Sequence, residues 1–195
     1  DTNGSRKTIR RSETGAGKVT NRFLTLPGGR LQLYQLETAA RSADGKLGCI
    51  LHLPRGTVQV FNASGATVRK FDVGAKFSNI AISNTGIIVV YGHFSPMGHL
   101  QRTGRLRVMG ADGKEIKAMD GVSTNRTYVG FIGNGDTVVA ALEKFGQPEV
   151  HQITAKGEAA AKKGPAGLRP GGLQVSGSGK AFAASFFKIP RPGRG

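Results

Sequence analysis

The sequence predicts an all-β fold, arranged as a β-propeller-like array of about four blades with basic, irregular tails. Three observations support this prediction. Glycine accounts for 30 of the 195 residues, about twice its usual share, and each glycine in a helix costs about 1 kcal/mol relative to alanine. Two sets of glycine-turn hairpins recur along the chain with one period. Apolar and polar residues alternate around several of these turns, which is typical of β-hairpins with one buried face.

Each hairpin of the first set has two apolar strands joined by a short polar turn that contains glycine. Its four turn glycines are Gly45, Gly86, Gly135 and Gly179. The hairpins of the second set lie between those of the first, and their turn glycines are Gly65, Gly113 and Gly157. Neighbouring glycines within a set are 41 to 49 residues apart. One hairpin of each set gives four strands per unit, which is the strand count of a propeller blade.

The two ends of the chain raise the question of closure. Residues 23–26 and 30–35 indicate an N-terminal hairpin, whereas the fourth unit contains only its first hairpin. Pairing these two hairpins would complete a fourth blade and remove the open edges. An open stack whose edges are covered by partner subunits is the alternative, and a β-sandwich is the competing architecture. Residues 158–163 could form a single helical turn before Gly164-Pro165.

The second hairpin of the first unit resembles a known repeat. Val58–Phe71, with the sequence VQVFNASGATVRKF, is similar to the outer hairpin of NHL-type and related bacterial propeller repeats. Leu106–Met119 fits the same pattern more loosely, and Val150–Glu158 keeps the glycine turn without the aromatic residue. The resemblance covers residues 40–187 and implies a propeller fold. It implies no particular activity, because propellers host enzymes, receptors and scaffolds alike.

Positive charge is concentrated at both ends of the chain. Of the net charge of +16, residues 1–30 hold +5 and residues 156–195 hold +7. We therefore expect a basic N-terminal arm (1–22), a propeller-like domain (23–189) and a basic C-terminal tail (190–195). The surplus disfavours a strongly cationic partner and favours an acidic one. The residues expected to bind this partner are Arg6, Lys7, Arg10, Arg11, Lys18, Arg22, Arg191 and Arg194.

The sequence contains no recognisable pattern of catalytic or metal-binding residues. Thr14–Val19 lacks the first glycine and the final Ser or Thr of a phosphate-binding loop. His93 and His99 are two candidate metal ligands without a third. The lone Cys49 lies in an apolar strand, as expected of a buried and inert thiol.

Most carboxylates are expected to have structural roles. Asp44, Asp112 and Asp136 fall in predicted hairpin turns, where Asp side chains bond their own turn backbone. His52 and His151 lie within predicted strands. We therefore predict no enzymatic activity, no cofactor and no metal site.

These observations predict a non-catalytic accessory or scaffolding subunit of a larger complex at the periphery of a membrane. Its basic tails and one propeller face would dock on an acidic protein surface. The sequence begins with Asp1 rather than Met, either because an export segment has been removed or because the numbering starts later in the chain. The first of these favours an extracytoplasmic, periplasmic location. One alternative is an rRNA-binding protein whose tails neutralise phosphates, although an aromatic RNA-binding motif is not recognisable. The other is a propeller enzyme or small-ligand binder that uses a central pocket.

Overall fold

A computed structural model describes residues 8–9, 22–74, 77–94 and 103–188 of the chain. About two thirds of these residues lie in strands, and the only helix among them is the 3-10 turn Gly133–Gly135. The all-β prediction is therefore confirmed. In this part of the chain, no helix has the length and apolarity needed to cross a membrane.

Sixteen strands are formed by the described residues. They are β1 (Thr8–Ile9), β2 (Arg22–Leu26), β3 (Gly29–Leu33), β4 (Glu37–Arg41), β5 (Leu47–His52), β6 (Thr57–Asn62), β7 (Thr67–Asp72), β8 (Asn79–Ile82), β9 (Ile88–Gly92), β10 (Thr103–Met109), β11 (Glu115–Ile132), β12 (Thr137–Lys144), β13 (Gln147–Thr154), β14 (Gly157–Lys163), β15 (Arg169–Val175) and β16 (Phe182–Phe187). Every ladder between them is antiparallel.

Three four-stranded blades form the centre of the molecule. Strands β4 to β7 form one sheet, which we call blade A, and strands β8 to β14 form a seven-stranded sheet. The larger sheet contains two blades that share β11. Glu115–Ser123 pairs with β10 and completes blade B, whereas Thr127–Ile132 pairs with β12 and begins blade C. One continuous strand is therefore the outer strand of blade B and the inner strand of blade C.

The hairpin turns follow the predicted pattern. All seven predicted turn glycines have positive φ, from 66° at Gly179 to 117° at Gly157, a conformation that glycine adopts without steric cost. The predicted helical turn at 158–163 is wrong, because these residues belong to β14 and pair with β13. The ladder to β13 outweighs the helix propensity of the alanines there.

The N-terminal and C-terminal hairpins do not share a sheet in the described residues. In the sheets of the described residues, the N-terminal hairpin (β2 and β3) pairs with β1, and the C-terminal hairpin (β15 and β16) forms a separate sheet. Leu24 and Leu26 instead pack with Ile50 of blade A, while Val175 lies against Gly130 of blade C. The expected ladder between the two hairpins is therefore not formed in the described residues, although the hairpins contact blades A and C, the two blades that a closing fourth blade would contact, so ring closure stays a prediction.

The core consists of apolar layers between neighbouring blades. Ile88 and Val90 of β9 pack in the layer shared with blade A, whereas Ile87 and Val89 pack in the layer shared with blade C. These four consecutive residues are buried on alternate faces, which explains their unbroken apolar sequence. Burial of both faces of blade B fixes the stacking order of the array.

Hydrogen bonds join the first hairpin turns of successive blades along one edge of the array. They run from the Asp44 N–H to Asn84 Oδ1 (3.0 Å), from Thr85 Oγ1 to the Gly135 carbonyl (2.7 Å) and from the Gly133 N–H to the Gly179 carbonyl (2.9 Å). In blades A and C, the turns that join the two hairpins of the blade lie at the opposite edge, at residues 53–56 and 145–146. This second edge holds the candidate site.

Candidate partner-binding edge

The basic residues predicted to bind a partner fall almost entirely outside the described residues. These are Arg6, Lys7, Arg10, Arg11, Lys18, Arg191 and Arg194. The eighth, Arg22, begins β2, but its side chain is not among the described ones. Their role in binding stays a prediction.

Asp44 and Asp112, two of the three aspartates predicted to lie in hairpin turns, have the structural role predicted for them, whereas Asp136 accepts a hydrogen bond from the side-chain hydroxyl of Thr137 at 3.4 Å. Asp44 accepts hydrogen bonds from the Ser42 hydroxyl (2.7 Å) and the Lys46 N–H (3.0 Å). The Ser42 hydroxyl, and to a smaller extent the Lys46 N–H, hold the pKa of Asp44 below its usual value. Asp112 accepts from the Lys114 N–H in the same way, at 3.0 Å. These carboxylates stabilise turns and are not arranged as an acid–base pair.

The structure also accounts for Cys49 and His151. Cys49 is fully buried in β5, and this burial raises the pKa of its thiol to about 12. His151 is buried in β13 and contacts Glu149, with 2.7 Å between Nε2 and Oε2. His52 ends β5, and His99 lies outside the described residues. Within the described ranges, no three His, Cys, Asp or Glu side chains are grouped so that they could hold a metal ion.

An exposed edge of blade C combines aromatic rings with guanidinium groups. We call it the aromatic edge and define it by Arg126, Glu143, Phe145, Arg169 and Phe187. It forms where β11 passes from blade B to blade C, where β12 ends, and where the C-terminal hairpin has its open end. Three separate segments of the chain therefore meet at this edge.

Phe145 has an unusual backbone conformation at this edge. It is the first residue of the two-residue turn between β12 and β13, because Lys144 pairs with Gln147. Its φ is +48° and that of Gly146 is +83°, as in the tight hairpin turns that favour Asn, Asp or Gly at the first position. Such a conformation costs a bulky residue roughly 1–2 kcal/mol. Phe145 is nevertheless 73% exposed, so burial of its ring offsets little of this cost.

Gly121 supports the base of the Phe145 side chain. The Phe145 N–H donates to the Gly121 carbonyl at 3.0 Å, and a Cβ at position 121 would overlap the aromatic ring. Gly121 also has a φ of +74°, which an L-residue adopts only with strain. The glycine therefore allows the ring to lie directly on the backbone where β11 bends.

Glu143 holds two arginines at the same edge. Its Oε2 lies 3.6 Å from Arg169 Nε and 4.0 Å from Arg126 Nε. The Glu143 side chain is only 13% exposed, whereas that of Arg169 is 43% exposed. Arg126 Nη1 is buried without a hydrogen-bond partner, and the Arg126 guanidinium lies 5.8 Å from the centroid of the Phe187 ring, within cation–π range.

The aromatic edge has a net positive charge. One carboxylate, Glu143, faces two arginines, and Lys144 and Lys188 are the sequence neighbours of the two rings. Aromatic and arginine side chains are the residue types enriched at the centres of protein interfaces. The arrangement can therefore bind an anionic surface that also presents apolar groups.

Sequence reasoning missed this edge. The only local indication was Lys144-Phe145-Gly146-Gln147, a glycine-containing turn with an aromatic residue where a small polar one is usual. Arg126 and Arg169 are 43 residues apart in the sequence. The contact of both with Glu143 depends on the stacking of the C-terminal hairpin on blade C, which periodicity does not specify.

Comparison with known proteins supports the fold. No protein-family model and no curated protein sequence match this chain. The crystal structure of BamB from Moraxella catarrhalis is similar, with a TM-score of 0.51 and 11% identity over 76% of this chain and 42% of that one. The Dos1 propeller has a TM-score of 0.50 and 13% identity over 79% of this chain and 48% of that one.

Both alignments cover most of this chain but less than half of the similar structure. At these identities the likeness shows the fold alone. The resemblance to NHL-type repeats in particular is not established by it and stays a prediction. The chain is an all-β, β-propeller-like array of blades.

Proposed function

We propose that this protein is a non-catalytic accessory subunit that docks on an acidic protein surface within a larger, membrane-associated complex. The observation that supports this most is the net charge of +16, of which the two ends of the chain hold +12. Like charge at this density opposes self-association and attracts an anionic partner. The proposal therefore assigns the basic tails the first encounter with the partner and a blade edge the final contact.

The state of the reactive side chains supports a non-catalytic role. The Cys49 thiol is buried and its pKa is raised to about 12, so the nucleophilic thiolate is scarce at neutral pH. Asp44 and Asp112 accept hydrogen bonds from their own turns. Among the described residues, these groups are committed to stabilising the fold rather than to moving a proton.

Charge in the tails has a defined physical consequence for binding. Exposed charges accelerate encounter and set orientation more than they add affinity. Their effect falls with salt, because the screening length is about 8 Å near 0.15 M and about 3 Å at 1 M. An interface that depends on Arg6, Lys7, Arg10 and Arg11 should therefore be sensitive to ionic strength.

The direct test is a salt wash of the native assembly. The tagged full chain is isolated with its partners at low ionic strength, and its release is followed on gels as salt is raised. We expect release at roughly 0.5–1 M salt, where exposed ion pairs are screened. Retention at every salt concentration contradicts electrostatic docking, and release by nuclease treatment assigns the partner to nucleic acid instead.

Two charge variants sharpen this test. Replacing Arg6, Lys7, Arg10 and Arg11 by glutamine should lower the salt concentration needed for release. The matched control removes four exposed lysines from hairpin turns, namely Lys46, Lys114, Lys156 and Lys180. Both variants lose the same charge, so an equal effect would show that net charge, and not the N-terminal arm, governs docking.

The cellular place of the complex is tested separately. We propose the extracytoplasmic side of a membrane, as an extension of the expectation from the sequence. Fractionation should find the full-length protein with washed membranes at low salt and in the soluble fraction after a high-salt wash. Recovery from the cytoplasm at low salt contradicts this part of the proposal while leaving the docking function intact.

A further inference from the structure

We propose that Phe145 anchors the docking surface by packing against apolar side chains of an acidic protein segment, whose carboxylates pair with the exposed guanidinium of Arg169. Resting on the function proposed above, this inference specifies which edge docks and what the partner must present. The partner segment therefore combines Asp or Glu residues with at least one apolar side chain.

The backbone conformation of Phe145 supports a role in docking. Its positive φ is unfavourable for a bulky side chain, and glycine or asparagine would form the same two-residue turn without that cost. With 73% of its surface exposed, the ring contributes little to the core. Burial of the ring does not offset the cost of the positive φ. Strain of this kind is typical of residues that serve function rather than folding.

Gly121 leaves room for the Phe145 ring. Gly121 has no side chain, and the Phe145 ring lies where a Cβ would be. The hydrogen bond from the Phe145 N–H to the Gly121 carbonyl, at 3.0 Å, fixes the turn above this position. The ring is therefore already oriented before a partner arrives, and an ordered anchor loses less entropy on binding.

The charge of the aromatic edge suits an acidic partner. Arg126 and Arg169 share a single carboxylate, that of Glu143, at 4.0 and 3.6 Å. The side chain of Arg169 is 43% exposed, so a partner carboxylate can reach its guanidinium and form charge-assisted hydrogen bonds. Glu143 thus lies between the two arginines, and its single negative charge balances only one of their two positive charges.

Phe187 is a second exposed ring at this edge. Phe187 is 46% exposed and lies beneath the Arg126 guanidinium, 5.8 Å from ring centroid to Cζ. Aromatic and arginine side chains at the centre of a patch, with lysines at its margin, are typical of the interface residues that dominate binding energy. Lys144 and Lys188 lie next to Phe145 and Phe187 in the sequence and add positive charge to this part of the chain.

The test uses the full chain and two synthetic fluorescent peptides. Both peptides carry alternating Glu and Asp residues; one has Leu and Phe at its centre, and the other has Ser at those positions. We expect the apolar peptide to bind at least tenfold more tightly than the serine peptide. Equal affinity for the two peptides, or tighter binding of a poly(U) oligonucleotide than of either peptide, overturns the proposal.

Single-residue variants test whether the aromatic edge is responsible for peptide binding. Phe145→Asn should reduce binding of the apolar peptide at least tenfold, to the level of the serine peptide. The control Val68→Thr, at a residue that is 51% exposed on blade A, should leave binding unchanged. Arg169→Gln should weaken both peptides several-fold, whereas Arg105→Gln, in the exposed pair with Asp120, should not. Equal effects of a variant and its control overturn the proposal.

Stability and salt release separate this inference from its alternatives. Because asparagine suits the turn, Phe145→Asn should melt at or above the wild-type temperature; a clear decrease would mean that the ring serves the fold, which overturns the proposal. If Phe145→Asn leaves the native assembly at the wild-type salt concentration, the anchor is wrong while the accessory function stands. If the wild-type chain forms no assembly, both fail.

Discussion

The Phe145 N–H donates to the Gly121 carbonyl at 3.0 Å, while the Phe145 ring occupies the space that a side chain at position 121 would need. Both residues have positive φ, +48° and +74° respectively. One belongs to a turn in blade C and the other to the strand that blades B and C share. Through this contact, the conformation of the turn between β12 and β13 and the bend of β11 depend on each other.

Gly121→Ala should destabilise the protein by about 1–3 kcal/mol, because the new Cβ overlaps the ring and alanine resists the positive φ. In the double variant Gly121→Ala/Phe145→Asn the overlap is gone, and about 1 kcal/mol from the φ angle should remain. Urea denaturation of the four proteins in this cycle measures the coupling.

The matched control for this cycle is Gly177→Ala. A Cβ at position 177 meets no atom within 4 Å, and the backbone there is not in the left-handed region. This substitution should be neutral or slightly stabilising. Strictly additive effects of Gly121→Ala and Phe145→Asn would show that the ring yields to the new methyl group at no cost.

Thr85→Val tests the hydrogen bond between the turns of blades B and C. The Thr85 hydroxyl donates to the Gly135 carbonyl at 2.7 Å, and its loss should cost about 0.5–1.5 kcal/mol. Thr67→Val is the control, since its hydroxyl accepts an exposed bond from Gln59 within blade A, also at 2.7 Å. Guanidinium denaturation should show a smaller loss of stability for the control. A larger loss for the control would argue against a stabilising role for the hydrogen bonds between the hairpin turns of neighbouring blades.

The turn positions could be predicted from the sequence because their cause is local. Gly65 and Gly86 lie where the backbone needs positive φ, and glycine between alternating residues marks such turns without knowledge of the rest of the fold. The shared strand β11 was not predicted. Its bend between Val122 and Thr127 depends on the packing of two blades on opposite sides, which a local pattern does not encode.

The aromatic edge was beyond sequence reasoning for a related reason. Arg126 and Arg169 come together at Glu143 only because the C-terminal hairpin stacks on blade C. Likewise, periodicity showed that the terminal hairpins have apolar faces but not which blade each one covers. Alternation specifies that a face is buried, whereas the choice of partner face depends on shape and volume across the interface.

Glu143→Gln should destabilise the protein by about 1 kcal/mol. The carboxylate is largely buried, but its arginine partners are 25% and 43% exposed at distances of 4.0 and 3.6 Å, so solvent screens part of the interaction. Asp120→Asn, which removes the exposed 3.0 Å contact with Arg105, should have an effect near zero. Thermal unfolding at low and high salt measures both, and equal losses would contradict the role assigned to Glu143.

Acid should weaken the turn that contains Asp44. The Ser42 hydroxyl and the Lys46 N–H lower the pKa of this carboxyl from its reference value of 3.8. A lowered pKa in the folded state gives stability that is present above about pH 4 and is lost as pH falls through the folded value. The difference in melting temperature between wild type and Asp44→Asn should therefore shrink below pH 4. A constant difference from pH 6 to pH 2 would be inconsistent with this assignment.

Cys49 should respond to alkali in the opposite direction. Burial raises the pKa of its thiol from a reference value of 9.0 to about 12, so the unfolded chain loses this proton before the folded protein does. Stability from the neutral thiol is complete below pH 9 and declines above it, by at most about 1.4 kcal/mol per pH unit. Cys49→Ala loses packing at neutral pH but lacks this titration, so the difference in the free energy of unfolding between wild type and variant should narrow from pH 8 to pH 10.5.

The accessibility of Cys49 is tested by labelling. A thiol reagent at pH 8 should label the wild-type protein only as fast as the protein unfolds. Rapid labelling of the folded protein would show that Cys49 is accessible and would reopen it as a reactive residue.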